Sequence, residues 1–189
     1  KFESNNVDFK LIHGDALKVK YHDLFTKDVI ITGNLPFNIS NQLLLKWLFN
    51  KEWPPFYNKM YLMFQKEVGE RILSNYGSKK YGRISVIAQT RCKIKKLLTA
   101  DSSIFSPKPK VDGVILEFTP HMKYKDIDMI LLEEIVKKSF SQRRKKIKSN
   151  LKGYEFAINA CNIDINLRAE DLSVTDYCNI TRECQTSFS

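Results

Sequence analysis

The strongest constraint on the fold is an alternation of strand and helix patterns along the first 120 residues. Short apolar runs predict strands, and apolar residues at helical spacing predict the helices between them. The predicted strands cover residues 9–13, 28–32, 59–64, 93–98 and 111–119. A chain that alternates in this way is expected to fold as an α/β sheet with crossover helices.

The pattern changes after Pro120, where helical periodicity replaces the alternation. The predicted helices cover residues 126–140, 142–151, 155–161 and 170–183. We therefore predict two domains, an α/β domain over residues 1–120 and a small all-α domain over residues 121–189.

The charge balance narrows the class of partner. The chain has 31 Lys and Arg against 21 Asp and Glu, a net charge of +10. Such an excess indicates nucleic acid or an acidic membrane surface as a partner, although an ordinary basic protein remains an alternative. No apolar run approaches the roughly 20 residues that span a bilayer, so we expect no membrane association through a spanning helix.

The cysteines and histidines do not have the spacing of a metal site. Cys92, Cys161, Cys178 and Cys184 form no CxxC pair, and the three histidines are isolated from one another. We therefore expect no bound metal and no disulfide framework, with reduced thiols in an intracellular protein.

The tetrapeptide Asn34-Leu35-Pro36-Phe37, which we call the NLPF motif, follows the predicted strand bounded by Gly33. Ligands of α/β sheets collect at the carboxyl ends of strands, which is where this motif stands. The Asn34 side-chain oxygen and the Leu35 carbonyl can accept the two N–H bonds of an adenine amine and orient its lone pair. Pro36 would fix the backbone, and Phe37 offers a face for a stacked base. A plain strand-to-helix turn is the alternative.

Two local predictions concern the neighbouring helices. Ser40 stands where an N-cap is expected, before a stretch with apolar residues at helical spacing. Glu67 is expected to pair with Arg71 at i,i+4 and not to act as a base.

Basic residues form a second group of candidate functional residues. Their density favours phosphate binding, and a solvated charged face is the alternative. The candidate RNA-binding residues are Lys108, Lys110, Arg143, Arg144, Lys145, Lys146 and Lys148, with Lys79, Lys80, Arg83 and residues 93–96 adding charge.

Seven segments resemble one known family in its order and near its spacing. They cover residues 13–17, 33–40, 64–68, 81–89, 105–112, 142–147 and 168–174. The chain resembles the ribosomal RNA small-subunit adenine N6,N6-dimethyltransferases of the KsgA type. The resemblance implies a Rossmann-like methyltransferase fold and S-adenosylmethionine as cofactor. It also implies methyl transfer to N6 of two adjacent adenines in a hairpin near the 3′ end of small-subunit rRNA.

The resemblance also assigns roles to individual residues. Asp15 would accept a hydrogen bond from the cofactor's adenine amino group, with Ala16 beside it. Asn34 would open the catalytic motif and border the cofactor, and Phe37 replaces a more usual tyrosine. The expected partner is the pre-small ribosomal subunit. The protein is expected to be a monomer and to lie in the cytoplasm or, alternatively, in a mitochondrion or another organelle.

The sequence departs from the family at its front end. The seven glycines never occur as GxG, so the family's glycine-rich cofactor loop is not found. We expect that the first third of the catalytic domain is missing from this sequence and that these residues alone are inactive. Two rival functions stay open: a large-subunit rRNA adenine methylase, and a non-enzymatic mitochondrial transcription factor of the same fold.

Overall fold

The computed structural model describes residues 10–50, 52–107 and 109–187. Up to Pro120, the described residues form four strands and four α-helices. In chain order these are α1 (Tyr21–Leu24), β1 (Val29–Asn34), α2 (Ser40–Leu48), β2 (Tyr57–Gln65), α3 (Lys66–Leu73), α4 (Arg83–Arg91), β3 (Cys92–Ala100) and β4 (Gly113–Pro120). A 3-10 turn at Ser102–Ile104 follows β3.

The described residues after Pro120 are helical, as predicted. They form α5 (Met129–Ser139), α6 (Ile147–Asn150), α7 (Glu155–Ala160) and α8 (Val174–Ser187), with 3-10 turns at Phe140–Gln142 and Ala169–Asp171. Asp128 fixes the start of α5, because its carboxylate accepts the N–H bonds of Ile130 and Leu131. The division into two domains at residue 121 stays a prediction.

The four strands form one sheet in the order β1-β2-β4-β3. β1 pairs parallel to β2, which is why a helix must connect them, whereas β2–β4 and β4–β3 are antiparallel. Asn34 lies opposite Met63, and Gly113 lies opposite both Gln65 and Ala100. The ends of β1, β2 and β3 and the start of β4 therefore share one edge, which we call the motif edge.

The core lies on one face of the two central strands. Met60, Leu62 and Phe64 of β2 and Leu116 and Phe118 of β4 are fully buried, and this cluster continues into the helices after β4. The intervening positions on β2 and β4, including Tyr61, Ile115 and Glu117, are mostly partly exposed. This alternation is the period of two that a strand imposes on its side chains.

The predicted strand over residues 9–13 is wrong for the part that the structure describes. Residues 10–13 have no regular structure, Leu11 is 80% exposed, and Phe9 lies outside the described residues. A strand needs a neighbour for its backbone groups, and none of the described strands pairs with this segment. Among the described strands, β1 pairs with β2 alone.

The predicted helix over residues 142–151 is also wrong over most of its length. A turn follows the 3-10 turn at Phe140–Gln142, and only Ile147–Asn150 is helical. The N–H groups of Ile147 and Lys148 donate to the carbonyls of Leu167 and Ile165. An α-helix would require these N–H groups to donate to the carbonyls four residues earlier, and their bonds to Leu167 and Ile165 prevent that.

Gly69 is needed where α3 packs on β4. A Cβ at this position would overlap the Val114 side chain, whose Cβ and Cγ1 are the nearest atoms. Gly69→Ala gains about 1 kcal/mol of helix propensity but should lose about 1–3 kcal/mol to overpacking. We therefore expect a net destabilisation in urea unfolding.

Val114→Ala removes the overlapping methyl groups and provides the matched control. The double variant should be less destabilised than the sum of the two single variants. Additive effects would show that α3 and β4 do not meet through this contact.

Candidate functional site

The NLPF motif lies where β1 ends at the motif edge. The strand includes Asn34, one residue beyond the predicted end, and Asn34 lies opposite Met63 of β2. Its side chain is exposed and forms no hydrogen bond with any residue that the structure describes. An exposed amide at the carboxyl end of a parallel strand is available to a ligand.

The turn after β1 is held by hydrogen bonds from the start of α2. The N–H groups of Ile39 and Ser40 donate to the Pro36 carbonyl at 3.0 and 3.1 Å. The Ser40 hydroxyl donates to the Phe37 carbonyl at 3.1 Å. The prediction that Ser40 is the N-cap is therefore wrong: it is the first helical residue, and its side chain bonds back into the turn.

Leu35 differs from the two residues that follow it. Its carbonyl accepts no hydrogen bond from the described residues, while the carbonyls of Pro36 and Phe37 are both used. A Cβ at Gly33 would lie 2.7 Å from Leu35 Cδ2, so a larger residue at position 33 would require the Leu35 side chain to shift. The side chain is anchored in the core, and the carbonyl stays open.

A second loop reaches the motif edge between β3 and β4. Its two ends are joined, since Ser102 N–H donates to the Asp112 carboxylate at 3.1 Å. Lys66 N–H donates to the Asp112 carbonyl at 2.9 Å. A cavity of about 390 Å³ opens here, lined by Gln65, Lys66, Glu67, Glu70, Lys110, Val111 and Asp112.

This loop also carries Phe105, for which no role was predicted from the sequence. Phe105 is half-buried, Lys110 is exposed, and Lys108 lies outside the described residues. Only the strand order reveals that this loop and the NLPF motif share an edge, because 63 residues of sequence lie between Phe37 and Asp101.

Asp15 begins a turn that packs on α2. Its carboxylate accepts the Leu17 N–H at 2.9 Å, and its carbonyl accepts the N–H groups of Lys18 and Val19. The Tyr21 hydroxyl donates to the Ala16 carbonyl at 3.0 Å. Burial, with the Asp15 charge as the second cause, raises the pKa of Tyr21.

The Asp15 turn is suited to one part of a nucleoside cofactor. The Asp15 carboxylate is exposed, and a carboxylate can accept a hydrogen bond from an adenine amino group. The described hydrogen bonds of this turn are internal or come from Lys46 on α2, and none joins it to the NLPF motif. The exposed Asp15 carboxylate can therefore accept a hydrogen bond from an amino group of a ligand.

The chain was compared with known proteins. The family model for ribosomal RNA adenine dimethylase matches residues 1–186. This chain belongs to that family.

Curated relatives carry the name ribosomal RNA small subunit methyltransferase A. The protein from Ruegeria sp. (strain TM1040) is 38% identical over 182 residues, covering 93% of this chain and 65% of the relative. The protein from Agrobacterium fabrum (strain C58 / ATCC 33970) is 40% identical over 172 residues, covering 89% and 62%. The chain thus spans less than two thirds of the length of these relatives.

Two solved structures share the fold. A dimethyladenosine transferase from Plasmodium falciparum superposes with a TM-score of 0.77 at 24% identity, over 94% of this chain and 72% of that one. The 23S rRNA methyltransferase ErmE superposes with a TM-score of 0.59 at 15% identity, over 92% and 71%. The predicted α/β Rossmann-like methyltransferase fold is confirmed.

The candidate RNA-binding residues differ in their surroundings. Arg144, Lys145, Lys146 and Lys148 are exposed and form no ion pair with a described residue. Arg143 instead bonds to Glu170 and to two backbone carbonyls. The structure therefore gives Arg143 an internal role that the sequence did not indicate, and phosphate contact by the group stays a prediction.

Another cavity, of about 1090 Å³, lies away from the motif edge. It opens where β1 and β2 begin and β4 ends, and the stacked rings of Phe25 and Phe56 line it. These strand ends lie at the opposite end of the sheet from the motif edge. The cavity is therefore separate from the NLPF motif, and we assign the chemistry to the motif edge.

The cysteine thiols are poor nucleophiles. Burial raises the pKa of Cys92 to about 12 and that of Cys178 and Cys184 to about 11. Among the described residues, no group of three or more His, Cys, Asp or Glu side chains could hold a metal ion. None of the described helices combines the length and apolar character that crossing a bilayer requires.

These pKa values predict the labelling of the native protein by a thiol reagent at pH 8. Cys161 is only partly buried and should react first, whereas the three buried thiols should react slowly because little thiolate forms below their pKa. In guanidinium chloride all four should react rapidly. Four fast equivalents in the native protein would contradict the burial.

Proposed function

We propose that this protein is an S-adenosylmethionine-dependent rRNA adenine N6,N6-dimethyltransferase. Its substrate would be a pair of adjacent adenines in a hairpin near the 3′ end of small-subunit rRNA, and its partner the pre-small ribosomal subunit. The family and the names of its curated relatives support this proposal. We further propose that it acts as a monomer.

The observation that carries the proposal is the pair of open acceptors at the end of β1. The Asn34 amide oxygen and the Leu35 carbonyl have no described donor, although the neighbouring carbonyls do. Adenine N6 is a poor nucleophile because its lone pair is delocalised into the ring. Two acceptors that take its N–H bonds would orient that lone pair toward an electrophile, a gain that comes from positioning.

Phe37 completes the adenine site. Its ring is half-buried directly after Pro36 at the motif edge, and an extruded base can stack on an aromatic face. Replacement of the family's usual tyrosine by phenylalanine keeps this face and removes only a hydroxyl. We infer that stacking, and not a hydrogen bond from residue 37, holds the base.

Asp15, Ala16 and Asn34 would hold the cofactor. S-adenosylmethionine supplies an electrophilic methyl group when bound. Asp15 would accept a hydrogen bond from the cofactor's adenine amino group. Asn34 would lie between the cofactor and the adenine of the RNA substrate. The exposed carboxylate of Asp15 supports this assignment.

No general base is needed in this site, because the amine proton becomes acidic once nitrogen is alkylated. Glu67 is the nearest candidate in sequence to the end of β2, and it pairs with Arg71 at 2.6 Å. This i,i+4 pairing confirms the sequence prediction and leaves Glu67 a structural role.

The two rival functions receive less support. The likeness to the 23S rRNA methyltransferase ErmE, at 15% identity, concerns the fold alone, whereas the small-subunit relatives are 38–40% identical over most of this chain. A non-enzymatic nucleic-acid-binding protein has no need of two open acceptors at the end of β1.

Asn34→Ala in the full-length protein should abolish methyl transfer and change rRNA affinity by only a few-fold. The reason is that Asn34 orients the amine and contacts no phosphate in this proposal. Radiolabelled methyl incorporation into isolated small subunits, with filter binding in parallel, measures both quantities. Retained turnover would remove Asn34 from the assigned role.

Phe37→Ala should weaken the reactive complex by about 1–3 kcal/mol, the energy of one base–aromatic stack. Phe37→Tyr keeps the ring and should be nearly neutral, so it is the matched control. Turnover of both variants on small subunits decides the matter, since equal rates for Ala and Tyr are incompatible with stacking.

A further inference from the structure

Arg143 joins three separate segments through one nitrogen. Its Nη2 atom lies 2.9 Å from the Lys79 carbonyl and 2.8 Å from the Tyr81 carbonyl. The same atom lies 3.1 Å from the Glu170 carboxylate. The segments are the loop between α3 and α4 (residues 74–82, the lysine loop), the turn at 143–146 (the basic turn) and the 3-10 turn Ala169–Asp171.

Other contacts hold the same three segments. Gly77 N–H donates to the Glu170 carbonyl at 2.7 Å, from a positive φ that favours glycine. The fully buried Tyr81 ring meets the Phe140 ring edge-on, with centroids 6.1 Å apart. Phe140 in turn stacks on Tyr177 of α8. The junction is therefore packed, and Arg143 lies at its polar margin.

The residues next to these contacts are unpaired cations. Lys79, Arg144 and Lys145 are exposed, and none forms an ion pair with a described residue. Lys80 is different, because it pairs with Glu70 at 2.6 Å. The bond from Arg143 to the Lys79 carbonyl holds the backbone that carries Lys79 beside the backbone that carries Arg144.

We propose that Arg143 is a positioning residue that fastens the lysine loop to the basic turn. Lys79, Arg144 and Lys145 then present one cationic surface to an RNA phosphate backbone, and Arg143 itself contacts no phosphate. This rests on the proposed function, which supplies the RNA. Fixing the two backbones before binding lowers the ordering cost that binding would otherwise carry.

Glu170→Gln distinguishes the two roles of Arg143 by the sign of its effect. If Arg143 contacts phosphate, removing the carboxylate frees a cation and should tighten RNA binding. If Arg143 is a fastener, the same variant loosens the junction and should weaken binding by about two- to fivefold, the loss that an exposed ion pair allows. Filter binding of isolated small subunits over a KCl series measures this.

Arg143→Lys is the second variant, because it keeps the charge but cannot reproduce the fixed geometry of the guanidinium. It should also weaken binding while leaving the salt dependence unchanged. Thermal unfolding confirms that each variant is folded at the assay temperature. Unchanged or tighter binding by either variant overturns the positioning role.

Arg144→Gln tests the surface itself. It should weaken binding and reduce the log–log salt slope by roughly 0.7–0.9, the value for one lost phosphate contact. If Arg144→Gln and Lys145→Gln both leave affinity and slope unchanged, the proposed RNA surface fails. If they act as expected while Glu170→Gln tightens binding, only the positioning role fails.

Discussion

The arrangement of the site depends on β2, which pairs with one parallel and one antiparallel neighbour. Because β1 runs parallel to it and β4 antiparallel, the end of β1 and the start of β4 fall at the same edge. Burial of Leu62 and Phe64 fixes the register, since a shift by one residue would turn these side chains away from the core. The NLPF motif and the loop before β4 therefore meet because of packing in the centre of the sheet.

The sequence predicted those parts of the molecule whose signal is local. β2, β3 and β4 follow from short-range patterns. The NLPF motif is contiguous, so it could be found in the sequence, although its composition left a plain strand-to-helix turn open and only the family resemblance favoured an adenine site. The predicted strand is absent over residues 10–13, because a strand needs a neighbouring strand to pair with. The predicted helix is absent over residues 143–146, because the N–H groups of Ile147 and Lys148 donate to carbonyls later in the chain.

Arg143 shows the same limit for a side chain. In the sequence it is one of several neighbouring cations and looks equivalent to Arg144. Its acceptors on Lys79 and Tyr81 are 64 and 62 residues away, so no window of sequence contains them. The open carbonyl of Leu35 is a comparable case, since only the hydrogen bonds of Pro36 and Phe37 make it distinctive.

The ion pairs also show which cations are neutralised and which are not, whereas composition gives only the net charge. Several cations are neutralised by nearby carboxylates and contribute little field: Lys59, Lys66, Arg71, Lys80, Arg83, Lys138, Arg143 and Arg182. Arg144, Lys145, Lys146 and Lys148 have no such partner among the described residues, so the basic turn and the residues after it carry unneutralised charge. A phosphate backbone is attracted by the uncompensated charges, because paired ones cancel within a Debye length. Unneutralised charge of this kind lies at the junction beside α6, where Arg144, Lys145, Lys146 and Lys148 are exposed without an ion pair to a described residue.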